Sequence, residues 1–118
     1  MGDSDIDASQ EIRDLLLSAL RLGQQATGYV FWAKRAAENV AEELGVGEEY
    51  VLHLFEKHVD SGGRVKYKVD KRDTYAGEMI GNAVVDIVGV QYFIEFNFGR
   101  EDLDDPELFI VSAHPSGQ

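Results

Sequence analysis

Residues 82–98 read Asn-Ala-Val-Val-Asp-Ile-Val-Gly-Val-Gln-Tyr-Phe-Ile-Glu-Phe-Asn-Phe. This is the most apolar run of the chain. It is rich in β-branched and aromatic residues, which suit a pleated, half-buried surface. Gly89 stands near its middle, so the run is read as two strands joined by a hairpin turn at residues 88–90. Beyond the turn Tyr92, Ile94, Phe96 and Phe98 share one side, and Gln91, Phe93, Glu95 and Asn97 the other. Successive side chains of a strand point to opposite faces. The alternation therefore predicts one face in a core and one largely facing water.

The flanks extend the sheet. Residues 64–70, Arg-Val-Lys-Tyr-Lys-Val-Asp, alternate strictly: Val65, Tyr67 and Val69 against Arg64, Lys66, Lys68 and Asp70. That is a strand, and lysines on its outer side suit a protected edge. After an acidic loop carrying Glu101, Asp102, Asp104 and Asp105, residues 108–113 form a last strand.

Helical spacing dominates the first half. Asp7 or Ser9 caps a helix that runs to about Leu22, with Ile12, Leu15, Leu16, Ala19 and Leu20 on one face and Gly23 placed to end it. A second helix spans 29–44, with Val30, Ala33, Ala37, Val40, Ala41 and Leu44 as its buried stripe and Tyr29, Phe31 and Trp32 clustered at its start. Glu38, Glu42 and Glu43 face water. A third helix follows Gly47, with Glu48 and Glu49 at the positive end of its dipole, and stops at Ser61-Gly62-Gly63. The predicted fold is α+β: three N-terminal helices packed on one face of a mainly antiparallel four-stranded sheet. Residues 1–7 are expected to be a mobile acidic tail, and 8–118 one domain.

Composition narrows the function. The 118 residues include no cysteine, which excludes disulfides, zinc–thiolate sites and a cysteine nucleophile. No apolar run is long enough to span a membrane, and the acidic start lacks signal-peptide form, so a soluble cytoplasmic protein without a membrane partner is expected. The net charge is −11, with five Lys among eleven basic residues against twenty-two Asp and Glu. Such a surface suits a basic partner, and equally an organism whose proteome is acidic through adaptation to salt.

The charge is unevenly placed. Residues 57–72 hold Lys57, Arg64, Lys66, Lys68, Lys71 and Arg72 against Asp60 and Asp70, a net of +4 that leaves −15 on the rest of the chain. A basic strand face with aromatic neighbours can hold a phosphate backbone, with Arg64, Lys66, Lys68, Lys71 and Arg72 as the contacts. The same residues equally describe a solvated strand face, or an internal partner for the acidic loop. Glu95 is outward on the central strand and His114 follows the last one. A carboxylate base, a histidine acid and lysine cations are the parts that cleave RNA through its 2′-hydroxyl. His53 and His58 are five apart, on different sides of a helix, and the acidic loop lacks EF-hand spacing, so no metal site is expected. No phosphate-binding glycine motif or hydrolase motif is present, and no cofactor is expected.

The order of elements is similar to that of the barnase-like and RelE-like ribonucleases, which include many small bacterial toxins. The resemblance spans residues 29–114 as topology. Its closing segment, Glu107-Leu-Phe-Ile-Val-Ser-Ala-His114, resembles the final strand of such toxins, on or after which catalytic residues often stand. It implies RNA binding by basic residues on the sheet. No specific motif matches, so no catalytic residue is carried over.

Two functions follow. In the first, the chain is an antitoxin-, immunity- or adaptor-like protein that acts by binding another protein. In the second, it is a toxin-like, metal-independent ribonuclease using the basic strand face. A small-molecule pocket between the aromatic cluster and the sheet is a third possibility, and an uncovered apolar sheet face would favour a homodimer.

Overall fold

The structure, a computed structural model, describes residues 6–70 and 78–117. Three helices, α1 (Gln10–Gln25), α2 (Lys34–Asn39) and α3 (Glu48–Asp60), accompany six strands. The strands are β1 (Ile6–Asp7), β2 (Val30–Trp32), β3 (Lys66–Asp70), β4 (Glu78–Ile87), β5 (Val90–Arg100) and β6 (Glu107–Pro115). They form one sheet in the order β1-β3-β4-β5-β6-β2, antiparallel except for the parallel pair β2–β6. The α+β class holds, but the sheet is larger than the four antiparallel strands predicted. The two additions are short and lie at the edges.

The hairpin is as the alternation requires. Ile87 faces Val90 across a two-residue turn in which Val88 (φ 53°) and Gly89 (φ 79°) are both left-handed, the signature of a type I′ turn. Tyr92, Ile94 and Phe96 are fully buried, with Ala83, Val85 and Ile87 beside them on β4. They pack against Leu16, Ala19 and Leu20 of α1 and Val51, Phe55 and Val59 of α3. Burying each large side chain stabilises the fold by about 1.5–3 kcal/mol. All of this covers one face of the sheet.

The segment 29–32 departs from expectation. It is a strand and not the start of a helix: Val30, Phe31 and Trp32 pair with Leu108, Phe109 and Ile110. Val30 and Trp32 pack on the core while Phe31 points away, 39% exposed. The helix then begins at Lys34 and widens into a π-turn over Val40–Leu44 before Gly45 ends it. The later start and wider turn shift the buried stripe. Ala36 and Val40 are buried, whereas Ala33 and Ala41 are exposed. Asn39 ties this unit to β6 by donating to the Ala113 carbonyl at 2.9 Å.

Gly23 does not end α1, which continues to Gln25. A Cβ there would lie 2.5 Å from the Val30 side chain, so this glycine lets β2 approach the helix. Of the residues expected as a tail, Ile6 and Asp7 pair with Tyr67 and Lys66 of β3, and residues 1–5 lie outside those described. Ser9 is the cap of α1, accepting from the Ile12 amide at 3.2 Å. Among the described residues no helix is long and apolar enough to cross a membrane.

Candidate functional site

Among the described residues no helix covers the second face of the sheet. Its side chains fall into rows set by the strand register. One row runs Asp7, Lys66, Asn82, Glu95 and Ser112 across β1, β3, β4, β5 and β6. The next along the strands is Val84, Phe93 and His114. On the opposite side of the polar row come Asn97, Phe109 and Phe31. Val111 is an extra residue in β6, where Glu95 pairs with Ser112 and Phe96 with Ile110. This bulge lets Val111 be exposed without disturbing the buried pairs on either side.

A cleft of 440 Å³ opens on this face, lined by His58, Arg64, Lys66, Asn82, Phe93 and Glu95 with parts of Ala83 and Val84. Its wall is rigid. The His58 ring lies so close to Gly63 that a Cβ there would sit 2.4 Å away. His58 Nε2 donates to the Arg64 carbonyl at 2.9 Å, which fixes the exit of the chain from α3 into β3. Arg64 in turn reaches Asp7 at 2.9 Å, so the short β1 helps to aim it. Both partners are well exposed, and an ion pair of this kind adds little stability.

Glu95 and Asn82 are half-buried, adjacent, and without a hydrogen-bond or ion-pair partner among the described residues. A carboxylate that has lost part of its water and gained no partner contributes nothing to folding, and it is available to a ligand. His114 sits diagonally from Glu95, a relation that spaces residues roughly 7–8 Å apart, with their Cβ atoms somewhat closer. Its ring lies 5.1 Å from that of Phe93, tilted by 30°. Its Nδ1 is 3.0 Å from the Pro115 carbonyl. A carbonyl only accepts, so Nδ1 is the donor in this contact.

Of the residues singled out from sequence, Glu95, Arg64 and Lys66 therefore meet in one cleft and His114 borders it. Lys68 follows on β3 opposite Ile80, and Lys71 and Arg72 lie outside the described residues. Asn82, Ser112 and Phe93 were not singled out as site residues, and His58 was weighed only as a metal ligand. Phe93 left a sign in the sequence as an aromatic residue on the outward side of the alternation, and His58 as a member of the basic segment. Among the described residues no three His, Asp or Glu side chains gather as a metal site. A second hollow, 290 Å³, lies between the end of α1, Trp32 and the first turn of α3. The one amide on its wall near the core, that of Gln24, is already engaged by the Leu20 carbonyl and Glu56. No protein-family model, curated protein or solved structure matches this chain.

Proposed function

We propose that the open face of the sheet binds RNA and cleaves it by attack of the 2′-hydroxyl on the adjacent phosphate. The observation that supports this is the half-buried Glu95 carboxylate, with no hydrogen-bond or ion-pair partner among the described residues, in one cleft with Lys66 and Arg64 and with His114 one diagonal step away. Glu95 removes the 2′-hydroxyl proton. O2′ then bonds to phosphorus and the P–O5′ bond breaks. His114 Nε2 delivers a proton to the departing O5′, leaving a 2′,3′-cyclic phosphate and a 5′-hydroxyl. Lys66 and Arg64 offset the charge on the five-coordinate phosphorus.

The overall negative charge does not oppose this. At physiological salt the screening length is about 8 Å, and the molecule is at least 27 Å across. A phosphate over β3 therefore responds to Lys66, Arg64 and the neighbouring Asp7, which it would displace from Arg64, and little to carboxylates behind the helices. The test is incubation with labelled single-stranded RNA at low salt, with product ends analysed. Cyclic phosphate ends should appear. Glu95→Gln and His114→Ala should each slow cleavage by about 10²-fold or more while binding persists. Unchanged cleavage in both variants would remove the mechanism.

Docking of a basic protein is a second reading, favoured by a different surface. Glu38, Glu42, Glu43, Glu48 and Glu49 are all exposed from the end of α2 to the start of α3, with Lys34 reaching Glu38 at 4.0 Å, and Tyr50 beside them is 46% exposed. Such a surface accelerates encounter with a positive partner. It leaves the sheet face free, so the two roles are compatible.

A further inference from the structure

Two aromatic pairs stand on the open face, one on each side of the polar row. Phe93 and His114 have ring centroids 5.1 Å apart at 30°; Phe31 and Phe109 have theirs 5.4 Å apart, also at 30°. Between their rows lies the row of Lys66, Asn82, Glu95 and Ser112. Phe93 and the row of Phe109 are four residues apart along β5, roughly 14 Å at 3.4 Å per residue. That is the length of about four stacked nucleotides at 3.4 Å each, and of fewer in a stretched strand.

Resting on the ribonuclease reading, we infer that the substrate is single-stranded RNA held as a track across the sheet, with unpaired bases stacked on both aromatic pairs and the cleaved phosphate between them. The outward placement of Phe31 is the key. It is 39% exposed and lies directly beside Phe109, while its chain neighbours Val30 and Trp32 pack on the core. Phe109 is supported from below because its ring covers Gly99, where a Cβ would come within 2.4 Å. The platform is thus built into β6 and does not depend on a mobile side chain. A duplex keeps its base faces stacked on one another and cannot present them to a flat sheet, whereas an open strand can splay them onto aromatic rings.

Fluorescence anisotropy with a labelled RNA of about 12 nucleotides, single-stranded or annealed to its complement, tests this in Glu95→Gln protein so that the strand stays intact. Single-stranded RNA should bind at least tenfold more tightly than duplex. Phe31→Leu and Phe93→Leu keep an apolar side chain but remove the ring face, and each should weaken single-strand binding about fivefold or more. Equal binding of duplex, or full affinity in Phe31→Leu, would overturn the track. Sedimentation of the same proteins guards against a different role. Self-association that disappears in Phe31→Leu would make this pair a contact between copies of the chain and would also overturn the inference. Absence of any RNA binding at low salt would instead remove the underlying ribonuclease reading.

Discussion

A hydrogen atom is all that Gly81 presents to the ring of Phe96, its cross-strand partner. A Cβ there would lie 2.3 Å from the ring. Phe96 also meets Phe55 of α3 edge-on at 5.9 Å and Phe98 at 5.8 Å, so it cannot move aside without disturbing the core. Gly81→Ala should therefore cost about 1–3 kcal/mol, read as a lower urea midpoint with an unchanged slope. Tyr67, on the same side of the sheet, is buried, and burial first and Glu101 second push its hydroxyl up from 10 to about 12. Burial and the hydrogen bond to Glu43 push Tyr92 up as well. The neutral forms favour the folded state, so the contribution of Tyr67 is complete below pH 10 and is lost as pH rises through about 12, with that of Tyr92 lost at still higher pH. Tyrosinate absorbance should appear in step with unfolding across that window, and Tyr67→Phe should flatten the loss of stability. At this scale the inward residues were legible, because burial leaves a period of two. The cross-strand neighbours of Glu95, Asn82 and Ser112, were not, because cross-strand register is written in no local spacing.

Among the elements, the hairpin turn holds a β-branched residue where glycine or asparagine is at ease. Val88 has φ 53° and is 61% exposed, so it has strain and little packing in return. Val88→Asn should raise stability by about 1 kcal/mol, seen as a higher denaturation midpoint. The helical unit at 34–44 hangs on Asn39, whose amide reaches the Ala113 carbonyl. Asn39→Ala should cost about 1 kcal/mol and raise hydrogen exchange at the π-turn. The hairpin and β3 could be read from sequence because each has a long one-sided alternation. The three residues of β2 are too short to show any period, and a run such as Val-Phe-Trp suits a strand or a helix start equally. Its parallel partner lies more than seventy residues away, so only tertiary contact decides between the two.

The whole molecule has two unlike sides. Glutamates crowd the helical layer, while the open sheet carries Arg64 and Lys66 balanced by Asp7 and Glu95, together with two aromatic pairs. Salt should therefore act differently on the two. RNA binding should weaken steeply with added salt, and Lys66→Ala should reduce the slope of log affinity against log salt by about one unit. Glu48→Lys with Glu49→Lys should leave that slope unchanged. The sequence hinted at this division through its basic segment, but which carboxylates stand behind the helices depends on how three helices cover one face.

The parallel pairing of β2 with β6 carries a consequence for how the protein is made. β6 lies between β5 and β2, and it alone supplies Phe109, Ser112 and His114 and receives the bond from Asn39. A nascent chain that has not yet emerged past residue 115 has neither a completed sheet nor the His114 ring on its open face. If the open face cuts RNA, the activity cannot arise until β6 has left the ribosome and inserted between β5 and β2, so the order of synthesis itself delays the arming of the nuclease.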